Sequence, residues 1–481
     1  MKTIPVIFCL LLLFAGVAMA MRPVEEVPPP QPGDSIETLY AKGKEAGEER
    51  QDDTAIQCWT MVLKRKPDDA VAFFNRGNVY MDKEEEDEKI AAKSREKALA
   101  DFSEAIRLNP KYTEAYWRRA VIYAAKEQFD KALADYNAVV SSSPQSTDAL
   151  IKRGEFFWGR KDTDKAIADF TAAIALDPKL ATAYEHRAQT YASLKEWDKV
   201  VADYTVIIGF GKQGDNDPPY SSRGDAYAKL GQWDKAIADY NEDIRLETAS
   251  GDQGDYNNYD IFINRARAYH ASGNDAHAIA DYTAAAASQG AQDADRDFAH
   301  MERGEVYWEK GEKEKALADF TKAIEIHPYT NDYMTLALAQ YAAGRYDDAI
   351  KTCTTSNEVC EEMVRSYLLR GAAHAARGEA KKAAEDFKEA VDLGREQCQQ
   401  GKWKSAEGID ELAEAEARTG KFEQAAIHEQ MAVDIMHATN TDAKLSKAME
   451  DRLALYQQQK PYLGEKEVKR LTTISDEPVS P

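Results

Sequence analysis

Between residues 36 and 439 the apolar positions follow a helical rhythm that is itself repeated. The clearest copy runs from Arg223 to Tyr240. In it Gly224 and Tyr227 lie three apart on one helical face, and Ala236, Tyr240 and Asp243 follow at i, i+4, i+7 on a second. Gly231 falls between the two blocks, where glycine takes a left-handed helix end at little cost. Asp234 is expected to cap the second helix with its carboxylate, in a slot shared by Asp130, Asp164 and Asp198. Pro67, Pro110, Pro144, Pro178 and Pro328 follow second blocks, and proline disfavours helical geometry in the residue before it. The unit reads as helix, turn, helix. Small residues let the two axes approach, and aromatic rings fill the space beside them.

An Asp–aromatic pair marks the period. It stands at Asp101-Phe102, Asp135-Tyr136, Asp169-Phe170, Asp203-Tyr204, Asp239-Tyr240, Asp281-Tyr282 and Asp319-Phe320, with spacings of 34, 34, 34, 36, 42 and 38. A period near 34 with two helical blocks points to tetratricopeptide repeats, and the chain resembles that family. The family pattern has small residues at slots 8, 20 and 27, aromatics at 11 and 24, and proline at 32. Eleven units start at Ile36, Ala70, Thr113, Thr147, Ala181, Asp217, Tyr259, Asp297, Thr330, Val364 and Ala406. Unit nine loses its small residue at slot 27 and its proline but keeps Gly344 and Ala349. The resemblance implies an all-α fold, a right-handed superhelical solenoid of about eleven helix-turn-helix units over residues 36–439. Each unit buries its face only against its neighbours. Residues 440–464, with Leu453, Leu455 and Tyr456, are expected to form a capping helix over the open end, similar to the ending of exported bacterial proteins of this family.

Outside the repeats the readings are compositional. Residues 1–20 have Lys2 as their only charge, an apolar run and Ala18-Met19-Ala20, the pattern of a cleaved secretory signal. This places the chain in a periplasm or outside the cell; the alternative is an N-terminal membrane anchor, for which the apolar run is short. Residues 21–35 carry five prolines and read as an extended linker. Unit two carries nine extra residues within Asp82–Lys97, read as a solvated helix extension, and Gly251–Asn258 reads as a loop. Residues 465–481 read as a disordered tail.

The formal charge of −22 becomes −23 once Lys2 is removed. That argues against nucleic acid and anionic membrane surfaces as partners, and favours basic ones. Cys58, Cys353, Cys360 and Cys398 remain after residue 20. Cys353 and Cys360 can bridge only if Thr354–Asn357 breaks the helix between them; Cys360–Cys398 is the other pairing. No string of the zinc, haem or redox type occurs, so no metal or cofactor is expected. The end segments are too short for an independent core, and no nucleophile–base motif is visible, so no enzyme activity is expected.

The resemblance implies a protein-interaction scaffold that holds peptides or helices of other proteins on the face lined by first helices. That face includes Phe74, Asn78, Met81, Trp117, Ile151, Glu155, Trp158 and Trp308. The same residues also fit simple packing against neighbouring first helices. Trp117 and Trp158, with Glu114, Asp148 and Glu155 on the same stripe, suit a segment with apolar anchors and Lys or Arg beside them. The chaperone-binding clamp of the family is incomplete, since only Asn75 and Arg118 match it. A permanent structural subunit of an envelope or secretion assembly is the alternative. Export is tested by terminal sequencing of the chain from its native compartment: a start at Met21 is expected, and Met1 on soluble cytoplasmic protein would remove the localisation.

Overall fold

The computed structural model describes residues 26–83, 88–212, 218–250, 259–288, 292–360, 363–439 and 443–460. They form 23 α-helices, and no strand occurs among the described residues. The chain divides into two compact units, one ending at Pro218 and the other starting at Pro219.

In the first unit five helical hairpins follow one another. They are α1 (Ile36–Glu48) with α2 (Asp52–Arg65), α3 (Ala70–Asp82) with α4 (Glu88–Leu108), and α5 (Thr113–Ala125) with α6 (Phe129–Ser142). Then come α7 (Thr147–Gly159) with α8 (Thr163–Leu176), and α9 (Ala181–Ser193) with α10 (Trp197–Gly209). The second unit holds six more. They are α11 (Tyr220–Lys229) with α12 (Trp233–Ser250), α13 (Tyr259–Ala271) with α14 (Asp275–Ala287), and α15 (Asp293–Glu309) with α16 (Lys313–Ile326). These are followed by α17 (Thr330–Ala342) with α18 (Tyr346–Val359), α19 (Val364–Ala376) with α20 (Ala380–Gln400), and α21 (Ala406–Arg418) with α22 (Phe422–Thr439). A single helix, α23 (Ala443–Gln457), ends the described chain.

Where the first small slot is glycine, the hairpin closes through the ring contact that slot implies. The Phe170 ring lies against Gly154, where an added Cβ would come within 2.5 Å of it; Tyr240 lies against Gly224 and Phe320 against Gly304 in the same way. The ring is buried by the backbone it touches, so volume at the glycine is not spare. A second contact, not read from the sequence, accompanies it. An arginine one position before the small residue donates two hydrogen bonds to the aspartate of the Asp–aromatic pair. Arg119–Asp135, Arg153–Asp169, Arg187–Asp203, Arg223–Asp239, Arg265–Asp281, Arg303–Asp319 and Arg370–Asp386 are all 16 residues apart, at 2.6–2.8 Å. Arg76–Asp101 is the same pair, spread to 25 by the insertion in unit two. The Asp hydrogen bonds raise the guanidinium pKa of Arg119, Arg153, Arg187, Arg223, Arg303 and Arg370, so their charge is held. The remaining guanidinium nitrogen reaches back one hairpin. Arg119 donates to Ser103, Arg153 to Asn137, Arg187 to Thr171 and Arg303 to Thr283. A third motif closes the turn: a second-helix lysine lies over a first-helix ring, as Lys131 on Tyr123, Lys199 on Tyr191 and Lys235 on Tyr227.

Several local expectations change. The second helices start earlier than expected, so Asp130, Asp164, Asp198 and Asp234 lie in the first turn and do not act as N-caps. There they favour the positive end of the helix dipole instead. Turn residues Glu127, Lys161 and Lys195 have φ of 57–60°, in the slot where Gly231 has φ 69°. The helix α15 starts at Asp293, a turn before Asp297, because Gln292 and Asp295 form a capping box there. The insertion in unit two lengthens α4 to 21 residues, so it is a helix extension; Glu84–Glu88 contribute no described side chain. Asp217, the expected start of unit six, lies outside the described residues, as do residues 1–25, Gly251–Asn258 and the tail 465–481.

Residues 26–35 are not a free spacer. Val27 is 5% exposed in the cluster of Leu39, Trp59 and Val62, its backbone N–H donates to Gln51 at 2.9 Å, and Arg65 donates to the carbonyls of Pro32 and Asp34. The segment covers apolar surface of the first hairpin. At the other end, α23 buries Met449 and Tyr456, and its Arg452, 2% exposed, donates to Glu429 and Asp410.

The Cys353–Cys360 bridge is also corrected. The helix α18 continues through Thr354–Asn357, so the two residues are two turns apart, about 10 Å along the axis, beyond the roughly 7 Å a disulfide spans. All four described cysteines are free thiols. Burial pushes the Cys353 thiol up to about 12 and that of Cys398 up to about 11, and Cys398 donates to the Gly408 carbonyl.

Because the Gly154–Phe170 contact has no spare volume, Gly154→Ala is expected to cost about 1–3 kcal/mol by overpacking. Chemical denaturation of the two forms measures it. An unchanged midpoint would show that the ring moves aside and that the contact does not set the hairpin.

Candidate functional site

The first helices of the first unit carry the candidate face, and contacts sort its residues into two groups. Phe74 is a packing residue: its ring meets Tyr112 at 4.7 Å and Phe102 at 5.8 Å. Burial pushes the Tyr112 hydroxyl beside it up to about 12. Met81 joins the cluster of Ala98, Phe102 and Ile122, and Ile151 packs on Leu150, Phe157 and Phe170. Trp308, in the second unit, lies against Leu317 and Phe320, with Lys313 over its ring at 5.5 Å. These four pack within hairpin clusters. Asn78 has its side-chain oxygen buried with no hydrogen-bond partner.

Trp117, Glu155 and Trp158 differ. Trp158 is 42% exposed, the largest ring among the exposed apolar side chains. Trp117 keeps one edge in the cluster of Ala120, Ala132 and Tyr136, while Lys152 stands 4.5 Å and Arg118 5.1 Å from its ring centre. Glu155 is half-buried and accepts from His186 Nε2 at 3.1 Å, and His186 stacks on Phe170 at 5.3 Å.

Lys152 and His186 were not picked out from the sequence. Asn75, Arg118, Lys152 and His186 occupy slot 6 of four successive hairpins, one position beside the stripe considered above. Arg118 reaches Asp82 at 3.1 Å and the Met81 sulfur at 3.9 Å, and Lys152 reaches Asp148 at 2.7 Å. Met81, Arg118, Trp117, Lys152 and Asp148 thus form one contiguous strip across α3, α5 and α7. Its four carboxylates, at Asp82, Glu114, Asp148 and Glu155, face two permanent cations and one histidine. The field is negative, but milder than the acids alone imply. The signal was present: a basic residue follows Trp117 directly and recurs 34 residues later at Lys152.

In the second unit the corresponding positions are locked into hydrogen bonds. Arg267 donates twice to Glu302, at 2.9 and 3.2 Å, and lies over Phe298; Tyr282 donates to the same carboxylate. Asp225 accepts from Tyr240 and Asn264, and burial pushes its carboxyl up from the ordinary range. Among the described residues no group of three His, Cys, Asp or Glu side chains is arranged to hold a metal ion, and no helix is long and apolar enough to cross a membrane.

Sequence models of the tetratricopeptide repeat match residues 87–147, 147–180, 297–329 and 334–397. Solved structures are similar over parts of the chain. A form of MamA from Desulfovibrio magneticus RS-1, residue 41 to the end, is 16% identical with a TM-score of 0.32 over 37% of this chain and 95% of that one. A tetratricopeptide repeat protein from Parabacteroides merdae ATCC 43184 is 19% identical with a TM-score of 0.30, covering 61% and 93%. A thermophilic protein with these repeats from Thermus thermophilus is 20% identical with a TM-score of 0.30, covering 34% and 84%. No curated protein matches by sequence. The chain carries tetratricopeptide repeats across residues 87–180, 297–329 and 334–397.

Proposed function

We propose that this chain is an exported interaction scaffold without catalytic activity of its own, and that the strip on α3, α5 and α7 receives an extended segment of a partner protein. The repeats support the scaffold reading, since their side chains are spent on stacking hairpins. The observation that carries the site is Trp158: a large ring, 42% exposed, on the same helix as Lys152 and Glu155 and one hairpin from Trp117. Apolar surface exposed at a position that hairpin packing does not need marks an interaction face. The partner segment offers an aliphatic or aromatic anchor for Trp158 and a Lys or Arg for the excess carboxylates. Export rests on the pattern of residues 1–20.

A peptide library with apolar anchors flanked by Lys or Arg tests this by fluorescence anisotropy. Trp158→Ala is expected to weaken the best binder about 30-fold, the equivalent of a 2 kcal/mol interface anchor, with thermal melting unchanged. Binding that is absent, or the same in Trp158→Ala, would remove the site.

A further inference from the structure

Hairpin one, α1–α2, has no Arg–Asp pair of its own. Lys42 stands in the arginine slot, and Cys58, fully buried, stands in the aspartate slot. The slot that faces this cation holds no carboxylate, so its partner comes from outside the hairpin. Asp34, in the segment before α1, supplies it: Lys42 Nζ donates to Asp34 Oδ2 at 2.8 Å, and both side chains are less than one-fifth exposed. Hairpin eleven, α21–α22, is completed in a comparable way. Leu412 and His428 take its two slots, and the guanidinium comes from Arg452 of α23, which reaches Asp410 and Glu429.

Residues 26–34 lie against this edge of hairpin one as a strap held at two points. Val27 sits in the cluster of Leu39, Trp59 and Val62, and its N–H donates to the Gln51 side chain at 2.9 Å. At the far end Arg65 donates to the Pro32 carbonyl at 2.7 Å and to the Asp34 carbonyl. Asp34 also accepts from the Gln31 N–H at 2.8 Å. Between these points Pro28, Pro29 and Pro30 have no N–H to donate. A proline run is already extended when free, so docking it orders little. The attachment uses one apolar side chain, two backbone carbonyls and a carboxylate seven residues after the apolar one. No helix of the strap's own has to break when it leaves. The surface beneath presents two cations, Lys42 and Arg65, on a chain whose formal charge is −22.

We propose that this edge of hairpin one is a second interaction surface, which takes an extended, proline-rich acidic segment of a partner protein, and that residues 26–34 keep it shut as a strap of the same chemistry. The partner segment places an aliphatic side chain among Leu39, Trp59 and Val62, offers backbone carbonyls to Arg65 and gives a carboxylate to Lys42. Strap and partner compete for the same groups, so the surface is available only when the strap has left. The strip around Trp158 is proposed to take basic segments, and the two surfaces therefore select opposite charges.

A fluorescein-labelled peptide with the sequence of residues 26–35 tests this by anisotropy on the full chain. Val27→Asp with Asp34→Lys releases the strap. The peptide is expected to bind that double variant about tenfold more tightly than the parent chain, since a short tether competes at roughly millimolar effective concentration. Lys42→Met added to the double variant is expected to weaken the peptide about tenfold, the factor for losing a charged hydrogen bond. A second measurement does not depend on the fold of the double variant. Lys42→Met in the otherwise unaltered chain is expected to raise cleavage within residues 28–32 by a proline-specific endopeptidase about tenfold, because cleavage follows the population of the released strap. Hydrogen exchange of α3–α10 stays unchanged in every form. Peptide binding that is absent, or equal in the parent and the double variant, or indifferent to Lys42→Met, would overturn the proposal, as would a cleavage rate that Lys42→Met leaves unchanged.

Discussion

A guanidinium held by both oxygens of an aspartate in its own hairpin, and by a hydroxyl or amide of the hairpin before, is the interaction on which this stacking depends. It joins three helices at one point: Arg187, for example, ties α9 to Asp203 of α10 and to Thr171 of α8. The aspartate is nearly buried, and the arginine is about one-fifth exposed or less. Two hydrogen bonds of matched geometry satisfy the carboxylate, which would otherwise be costly to bury. The neighbouring glycine–ring contact brings the two axes close enough for that geometry. Direction comes from the third bond, which reaches backward, so the hairpins that carry it are registered on their predecessors.

Much of this was legible in the chain. The Asp–aromatic pair exposed the period, and the small slots and turn glycines placed the helices. The arginine escaped notice although it stands 16 residues before each aspartate, because a charged residue mid-helix reads as solvated face until its partner is known. The second-helix caps were misplaced for a related reason. An aspartate near a helix start looks like a cap, but the turn residue before it, such as Lys161 or Lys195, takes a left-handed conformation and starts the helix sooner. The Cys353–Cys360 bridge failed because Thr and Ser residues tolerate a helix whose packing is set by Ala349 and Cys353.

The candidate face was less legible than the fold. Phe74, Met81, Ile151 and Trp308 have the size and spacing of binding residues, yet they pack between hairpins. Trp117 and Trp158 share that pattern, and only their neighbours distinguish them. The residues that close hairpins recur at fixed slots. The residues that change from one hairpin to the next, such as Trp117, Arg118, Lys152 and Trp158, are the ones the proposed site draws on.

Hydrogen exchange across Arg187→Met tests the stapling account most directly, because the substitution keeps much of the side-chain volume and removes all three bonds. Protection is expected to fall across α8, α9 and α10, by a factor that reflects a charged hydrogen-bond loss of about 1.5–3 kcal/mol, while α1–α4 keep theirs. Unchanged protection in α8–α10, or an equal loss throughout the first unit, would contradict it.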